Sequence, residues 1–214
     1  MTLLTDSILV LLIIASFLLL SSSRLATCIK IAALQGFMVG FLPIVSSGSG
    51  ITYRVAAIAM VIVGMKGFMF PYLLSRTLRE SNTFKEIKPF VGYTASIFVG
   101  VLALVASFWL DLRLKLPIVA GSRLVIPVAL SMMMTGIFLI IGRRMAVNQV
   151  IGFLVMENGI YTFGLAIVRD VPLLVELGVL MDMFMAVLVM GIAIYRINRE
   201  FDHIDSDQLN TLKG

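Results

Sequence analysis

The stretch VNQVIGFLVMENGIYTFGLAIV, residues 147–168, is almost entirely apolar and carries one charged residue, Glu157, near its centre. A helix of about 20 apolar residues crosses the roughly 30 Å hydrocarbon core of a bilayer. Six further windows of this kind predict an all-α, polytopic membrane protein with seven transmembrane helices. Each must be helical, since lipid cannot satisfy free backbone groups. The windows are approximately 3–22, 31–47, 54–75, 90–110, 124–142, 147–168 and 172–195.

The overall composition indicates the same class. The 214 residues are 60% hydrophobic and only 14% charged, and the mean hydropathy is +1.05. Soluble domains carry roughly a quarter charged residues, so an ordinary soluble enzyme and a nucleic-acid-binding domain are both excluded. The net charge of +5 is instead typical of basic loops that set membrane topology.

Cysteine and histidine contents exclude most cofactor sites in this chain. Cys28 is the single cysteine and His203 the single histidine. An intramolecular disulfide, a cysteine metal cage and a membrane haem with histidine ligands all need more of these residues. We therefore expect no metal site and no cofactor in this chain.

The basic residues predict how the chain is oriented. Loops on the N-terminal side hold five Lys and Arg residues, and those on the other side hold eleven, among them Lys30, Arg143 and Arg144. The positive-inside rule then places the N-terminus outside and the C-terminus in the cytoplasm. No basic residue precedes the first window, which predicts a retained helix rather than a signal peptide. We divide the chain into a four-helix region (1–123), a three-helix region (124–199) and a polar cytoplasmic tail (200–214).

Four ionisable residues lie inside the predicted spans: Lys66, Glu157, Glu176 and Asp182. Each costs about 2.5–3.5 kcal/mol at the centre of a membrane helix, so such residues mark functional sites. Lys66, Glu157 and Asp182 fall near the midpoints of three different spans, and Glu176 about 11 Å further out. This pattern is typical of a proton relay, in which buried groups tune one another's proton affinity. A Lys–carboxylate pair that only locks helices together is the alternative.

Smaller features surround these residues. Asn158 adjoins Glu157 and could hydrogen-bond across helices or simply pack there. Gly64 and Gly67 flank Lys66 and would let another backbone approach closely, while Pro71 removes a helix hydrogen bond. We predict supporting roles for Asn158 and Pro71. Without a nucleophile–base or metal set, no catalytic residue is predicted and the chain is expected to be non-enzymatic.

The last three spans resemble the small K subunit of bacterial complex I. Residues 152–158, GFLVMEN, are similar to the second-helix pattern of that subunit, and Asp182 is placed like its third-helix glutamate. The second-helix glutamate itself would fall at Leu154, three residues before Glu157. Three residues correspond to about 300° around a helix and about 4.5 Å along it, so the two positions lie on nearly the same face.

The whole chain resembles the hydrogenase-4 component E family of membrane-bound, complex-I-like nickel–iron hydrogenases. The resemblance rests on MENG at 156–159, the acidic pair Glu176 and Asp182, Lys66 with Pro71, and the closing LNTLKG at 209–214. It implies a location in the bacterial or archaeal cytoplasmic (inner) membrane, between antiporter-like and hydrogenase-anchoring subunits. The nickel–iron centre and Fe–S clusters would lie in partner subunits.

The family resemblance also implies roles for the buried charges. Glu157, Asp182 and Glu176 would relay protons, or couple redox chemistry to ion translocation, and Lys66 would tune or continue the relay. Na⁺ is a possible ion, since carboxylates also bind it. Two alternatives stay open: a structural connector without its own ion path, and a stand-alone secondary transporter. The lack of an internal repeat argues against the transporter.

Overall fold

The computed structural model describes residues 2–46, 53–80, 91–114, 122–143 and 145–167, together with Gly178 and Gly191, and in these residues all regular structure is helical. Five helices are long and apolar enough to cross a membrane, so the chain is a multi-pass helical membrane protein. The elements are α1 (Thr2–Ser21), α2 (Leu25–Ser46), α3 (Tyr53–Ile62), a π-helical segment (Val63–Met69), α4 (Phe70–Glu80), α5 (Tyr93–Leu114), α6 (Val125–Gly142) and α7 (Ala146–Ile167). The five long helices are α1, α2, α5, α6 and α7.

The predicted third span is a continuous helical run whose hydrogen-bond register changes in the middle. The backbone stays in the right-handed helical region at Ile62 and Phe70, on either side of the π-helical segment. The Phe70 amide donates to the Met65 carbonyl, five residues back, as in a π-helix. The next such bond would need an amide at Pro71, which has none. Pro71 therefore ends the π register, and α4 continues the run in α-helical register.

Two predicted span boundaries were wrong. The second span was expected to begin at 31, but α2 begins at Leu25, where the amides of Thr27 and Cys28 both donate to the Arg24 carbonyl. Lys30, which had been assigned to a loop, is thus an exposed residue in the second turn of α2. Long basic side chains are tolerated there because their charged ends can reach the interface.

The helix that corresponds to the fourth predicted span, α5, ends later than expected. The break was placed at residues 111–117, but α5 continues to Leu114 and carries Asp111 and Arg113 in its last turns. The Arg113 guanidinium lies 5.4 Å from the centroid of the Trp109 ring. The helix dipole favours a cation near a helix C-terminus, which is where Arg113 lies.

The seventh predicted span, 172–195, lies outside the described residues except for Gly178 and Gly191, which are both helical. The number of seven spans and the orientation of the termini therefore stay predictions.

Glycines allow α6 and α7 to pack backbone against backbone. A Cβ added to Gly136 of α6 would lie 2.5 Å from the Met156 amide nitrogen, and one added to Gly152 of α7 would lie 2.8 Å from the Ile140 amide nitrogen. Small residues permit this close approach in membrane helices. The contact fixes the face of α7 that is left to meet the rest of the bundle, where α7 also packs on α2.

Candidate functional site in a buried polar layer

A layer of polar side chains separates two apolar clusters of the bundle. One cluster joins the end of α1 to the beginnings of α2 and α7, and includes Leu20 and Val147. The other joins the start of α1 to the ends of α2 and α7, and includes Leu42 and Ala166. Between them lies what we call the polar layer. Its members are all buried: Ser16, Gln35, Lys66, Thr135, Glu157 and Asn158.

Lys66 and Glu157 form an ion pair in this layer. The Lys66 Nζ lies 2.9 Å from the Glu157 Oε1, and the two side chains are only 4% and 3% exposed. Lys66 is the central residue of the π-helical segment, and Glu157 is near the middle of α7. Lys66 also donates a 3.3 Å hydrogen bond from Nζ to Asn158 Oδ1. The structure thus brings together two of the four predicted relay residues and one of the two predicted supporting residues.

The carboxylate of Glu157 is less well satisfied than the ammonium. Among the described residues, none donates an aligned hydrogen bond to either carboxylate oxygen, although Oε1 is in charge contact with Lys66. A carboxylate offers about four acceptor positions. In a buried site such unused capacity is a common mark of a functional group. The part of the chain that the structure describes therefore leaves acceptor positions of Glu157 unused.

The position of Lys66 depends on two glycines of α2. A Cβ added to Gly36 would lie 2.7 Å from the Lys66 Cβ, and one added to Gly40 would lie 2.6 Å from the Val63 Cγ2. The structure does not show the expected close approach at the neighbouring glycines among the described residues. An added Cβ would meet no described atom within 4 Å at Gly64 and would make only ordinary contacts at Gly67. The approach is made by α2, whose small residues face the π-helical segment.

The sequence contained a signal for this contact that the sequence analysis did not use. Residues 36–40 read GFMVG, a GxxxG pattern inside an apolar helix. This pattern is typical of a helix face against which another membrane helix packs closely.

Tyr161 is a further residue of the site that sequence reasoning missed. Its ring centroid lies 5.7 Å from the Lys66 Nζ, and the side chain is buried. Its hydroxyl has no hydrogen-bond partner among the described residues. The available signal was the spacing from Glu157, since residues four apart share a helix face.

Gln35 extends the polar layer towards α1. Its Nε2 donates to the Ser16 Oγ at 3.0 Å and to the Leu12 carbonyl at 3.4 Å. Its Oε1 has no hydrogen-bond partner among the described residues. Because Gln35 precedes Gly36, the helix turn that packs on Lys66 also carries an amide that links α2 to α1.

Arg143 had been counted as a loop cation, but it is a buried residue at the end of α6. Its guanidinium Nη2 donates a 3.0 Å hydrogen bond to the Leu20 carbonyl. The Cζ atom of the same guanidinium lies 5.2 Å from the centroid of the Tyr93 ring. The last carbonyls of a helix lack intrahelical partners, so Arg143 caps α1 while contacting the start of α5. Arg144 lies outside the described residues.

Two of the predicted relay residues are not placed. Glu176 and Asp182 lie outside the described residues. Within the part of the chain that the structure describes, no group of three or more His, Cys, Asp or Glu side chains is arranged to hold a metal ion. Pro71 is described, and its position directly after the π-helical segment is compatible with its predicted supporting role.

The fold and the buried ion pair define a class: a polytopic α-helical membrane protein with a charged site buried between its helices. Residues 124–214 match the sequence model of the family described as NADH-ubiquinone/plastoquinone oxidoreductase chain 4L. This match confirms the resemblance of the C-terminal region to the K subunit.

Individual relatives extend the similarity. The chain is 29% identical to hydrogenase-4 component E of Escherichia coli K12 over 119 residues, which cover 56% of this chain and 55% of that protein. The match thus spans about half the length of that relative. The chain is also 27% identical over 207 residues to an uncharacterized protein of Mycobacterium tuberculosis, covering 94% of this chain and 92% of that one. No solved structure matches.

Proposed function

We propose that this chain is a membrane subunit of a complex-I-like, hydrogenase-type respiratory complex, and that Lys66 and Glu157 relay protons within it. The observation that carries the proposal is the 2.9 Å ion pair buried between the π-helical segment and α7. The similarity to hydrogenase-4 component E and to the chain 4L family supports the type of complex. Antiporter-like and hydrogenase-anchoring membrane subunits would be the partners, and the nickel–iron centre and Fe–S clusters would belong to partner subunits.

The chemistry of the relay follows from the charges. With Glu157 ionised, the pair is neutral and the attraction between its members is strong in a medium of low dielectric constant. A proton arriving at a free acceptor position of Glu157 makes the site cationic, and Asn158 still accepts the hydrogen bond from Lys66. Any movement of Lys66 changes the proton affinity of Glu157. A partner subunit that shifts the π-helical segment would therefore drive proton uptake or release.

The remaining predicted residues fit around this pair in the proposal. Glu176 and Asp182 would continue the relay along the seventh predicted span. Pro71 would support it by ending the π register one turn after Lys66, so that the cation is held in the wider helical turn. The transported ion would be H⁺, with Na⁺ as the alternative because carboxylate oxygens also bind it.

A structural connector is the second candidate, and one observation favours it. Lys66 and Asn158 are 92 residues apart in the sequence, so the contacts of Lys66 join the third predicted span directly to α7. Breaking a buried pair by removing one partner typically destabilises a protein by about 3–5 kcal/mol, whereas replacing both partners by neutral groups is often neutral or stabilising. A pair that serves only as a lock should therefore tolerate the double replacement.

The test measures ion transport by the intact complex in proteoliposomes, with assembly and redox turnover recorded alongside. Glu157→Gln should leave the complex assembled and abolish coupled transport. The Lys66→Met/Glu157→Gln double variant should restore stability but not transport. Asp111→Asn, the same carboxyl-to-amide change in the last turns of α5, is the matched control and should behave like wild type.

Other outcomes discriminate the alternatives. Normal transport by the double variant refutes the relay and favours the connector. Transport by the purified chain alone would indicate a stand-alone transporter. Transport that persists without Na⁺ and is abolished by a protonophore would identify the ion as H⁺.

A further inference from the structure

We propose that Tyr161 is a positioning residue whose aromatic ring holds the Lys66 ammonium while Glu157 is protonated. The inference deepens the proposed function and rests on it, because it concerns the state in which the ion pair has been neutralised by an incoming proton. It assigns a role to a buried ring that takes no part in the ion pair or in the hydrogen bond from Lys66 to Asn158.

The geometry places the ring beside the pair. Tyr161 follows Glu157 by one turn of α7, and side chains on a helix lean towards its N-terminus. The ring therefore reaches back to the level of the Glu157 carboxylate, where the Lys66 Nζ lies 5.7 Å from the ring centroid. This is within the distance of about 6 Å at which an ammonium is attracted to an aromatic face. Both side chains are buried, so little water screens the interaction.

The ring matters most when the carboxylate loses its charge. The incoming proton forms an O–H bond on Glu157, Lys66 keeps its own proton, and the net charge of the pair changes from zero to +1. The ammonium is then a buried cation without a counter-ion, which is unfavourable in an apolar medium. The Tyr161 ring and Asn158 Oδ1 remain as its neutral partners. When the same O–H bond gives up its proton to the next acceptor, the ion pair forms again.

Few other charges are placed to take over this role. α6 contains no titratable residue, and the titratable residues of α2 are Cys28 and the exposed Lys30. Lys66 is the charged residue of the π-helical segment. A Cβ added to Gly178 would lie 4.0 Å from the Tyr161 Cδ2. Glu176 and Asp182, in the same predicted span as Gly178, lie outside the described residues.

The contribution of the Tyr161 ring can be distinguished experimentally from that of its hydroxyl group. Since the hydroxyl has no hydrogen-bond partner among the described residues, Tyr161→Phe should preserve the effect and Tyr161→Leu should remove it. Tyr161→Met is a second variant that fills the space with a flexible apolar side chain, in case the leucine variant does not fold. Phe163→Leu is the matched control, since it removes an aromatic ring of α7 that packs on the same apolar cluster.

The experiment is an infrared titration of the full-length chain in lipid vesicles. The band of protonated Glu157 is identified by its loss in Glu157→Gln. The ring changes the titration only by the difference between its contact with Lys66 in the protonated state and its contact in the ion pair. A desolvated cation–π contact is worth about 2 kcal/mol, or about 30-fold at about 1.4 kcal/mol per tenfold. Half-protonation of Glu157 should therefore need a higher proton concentration, by up to about 30-fold, in Tyr161→Leu and Tyr161→Met than in wild type. Tyr161→Phe and Phe163→Leu should stay close to wild type.

Three results would overturn the inference: wild-type titration in both the leucine and methionine variants, an equal change in Tyr161→Phe, or no Glu157 band at any pH. Transport by the intact complex separates this failure from failure of the proposed function. If Glu157→Gln blocks transport while Tyr161→Leu titrates like wild type, the relay stands and the role of Tyr161 is refuted. If Glu157→Gln transports normally, the proposed function itself is refuted.

Discussion

Replacing Gly36 with alanine puts a methyl group into the narrow contact between α2 and the residue that carries the buried cation. The added Cβ would lie 2.7 Å from the Lys66 Cβ and 3.0 Å from both the carbonyl carbon and the carbonyl oxygen of Lys66. Non-bonded carbon atoms settle at about 3.5–4.0 Å, so the two helices must separate by about 1 Å. Lys66 cannot avoid the clash by changing rotamer, because two of these atoms belong to its backbone.

The separation acts directly on the ion pair. The Nζ–Oε1 distance is 2.9 Å, and a further 1 Å would bring it to about 4 Å, the usual limit of a salt bridge. Overpacking of this kind typically costs about 1–3 kcal/mol of stability. A 1 Å displacement in a functional site can reduce activity by about 100-fold. We therefore expect Gly36→Ala to lower stability by about 1–3 kcal/mol and coupled transport by about 10- to 100-fold.

Gly64→Ala provides the matched control for this prediction. It adds the same methyl group to the π-helical segment, two residues before Lys66, but at a position where no atom of the described residues lies within 4 Å. Alanine favours a helix over glycine by up to about 1 kcal/mol, so this variant should be unchanged or slightly more stable. Thermal unfolding of both variants in the same lipid, followed by transport in the intact complex, measures the difference.

Equal behaviour of the two alanine variants would refute this reasoning. It would mean that α2 does not set the position of Lys66, and that the approach of Gly36 is not a determinant of the ion pair. A stable Gly36→Ala protein with reduced transport would show that the effect lies in the site rather than in the fold.

Two predictions concern helix contacts away from the ion pair. Arg143→Met removes the donor to a carbonyl in the last turn of α1. It should lower the free energy of unfolding by about 1.5–3 kcal/mol, the range for hydrogen bonds to charged groups. The matched control is Arg24→Met at an exposed position, whose thermal unfolding should match that of wild type. Gly136→Ala would place a Cβ 2.5 Å from the Met156 amide nitrogen and should destabilise the protein by at least about 1–3 kcal/mol. Gly92→Ala, whose added Cβ would meet no described atom within 4 Å, should leave thermal unfolding unchanged.

The bounds of several helices could be predicted from the sequence because the thickness of the bilayer fixes their length. The windows 3–22 and 124–142 agree closely with Thr2–Ser21 and Val125–Gly142. The start of α2 could not be predicted in the same way, since helix ends lie near the membrane surface, where water can satisfy the backbone and hydropathy no longer decides. The π register of residues 63–69 follows from hydrogen bonding, to which a hydropathy window is insensitive.

The presence of both charges inside apolar spans could be read from the sequence, but their pairing could not. Lys66 and Glu157 fall near the midpoints of their spans, and side chains at one depth can meet. Which spans meet depends on close contacts such as those of Gly36 and Gly136, which require knowledge of helix faces. Arg143 was assigned to a loop because a charge at the end of an apolar window is usually solvated, and its burial depends on a carbonyl of α1 that is distant in sequence.

The distribution of contacts within the ion pair bears on the choice between relay and lock. A pair that serves only to hold helices together gains most when every hydrogen-bonding position is used, because unused positions forfeit energy in a buried site. Here the partners gather on the cation: Lys66 contacts Glu157, donates to Asn158 Oδ1 and lies near the Tyr161 ring. Within the described ranges, the carboxylate receives no aligned hydrogen bond. A cation with neutral partners beside a carboxylate with few partners fits the proposed relay better than a lock, because such a site could accept and release a proton without losing its lysine.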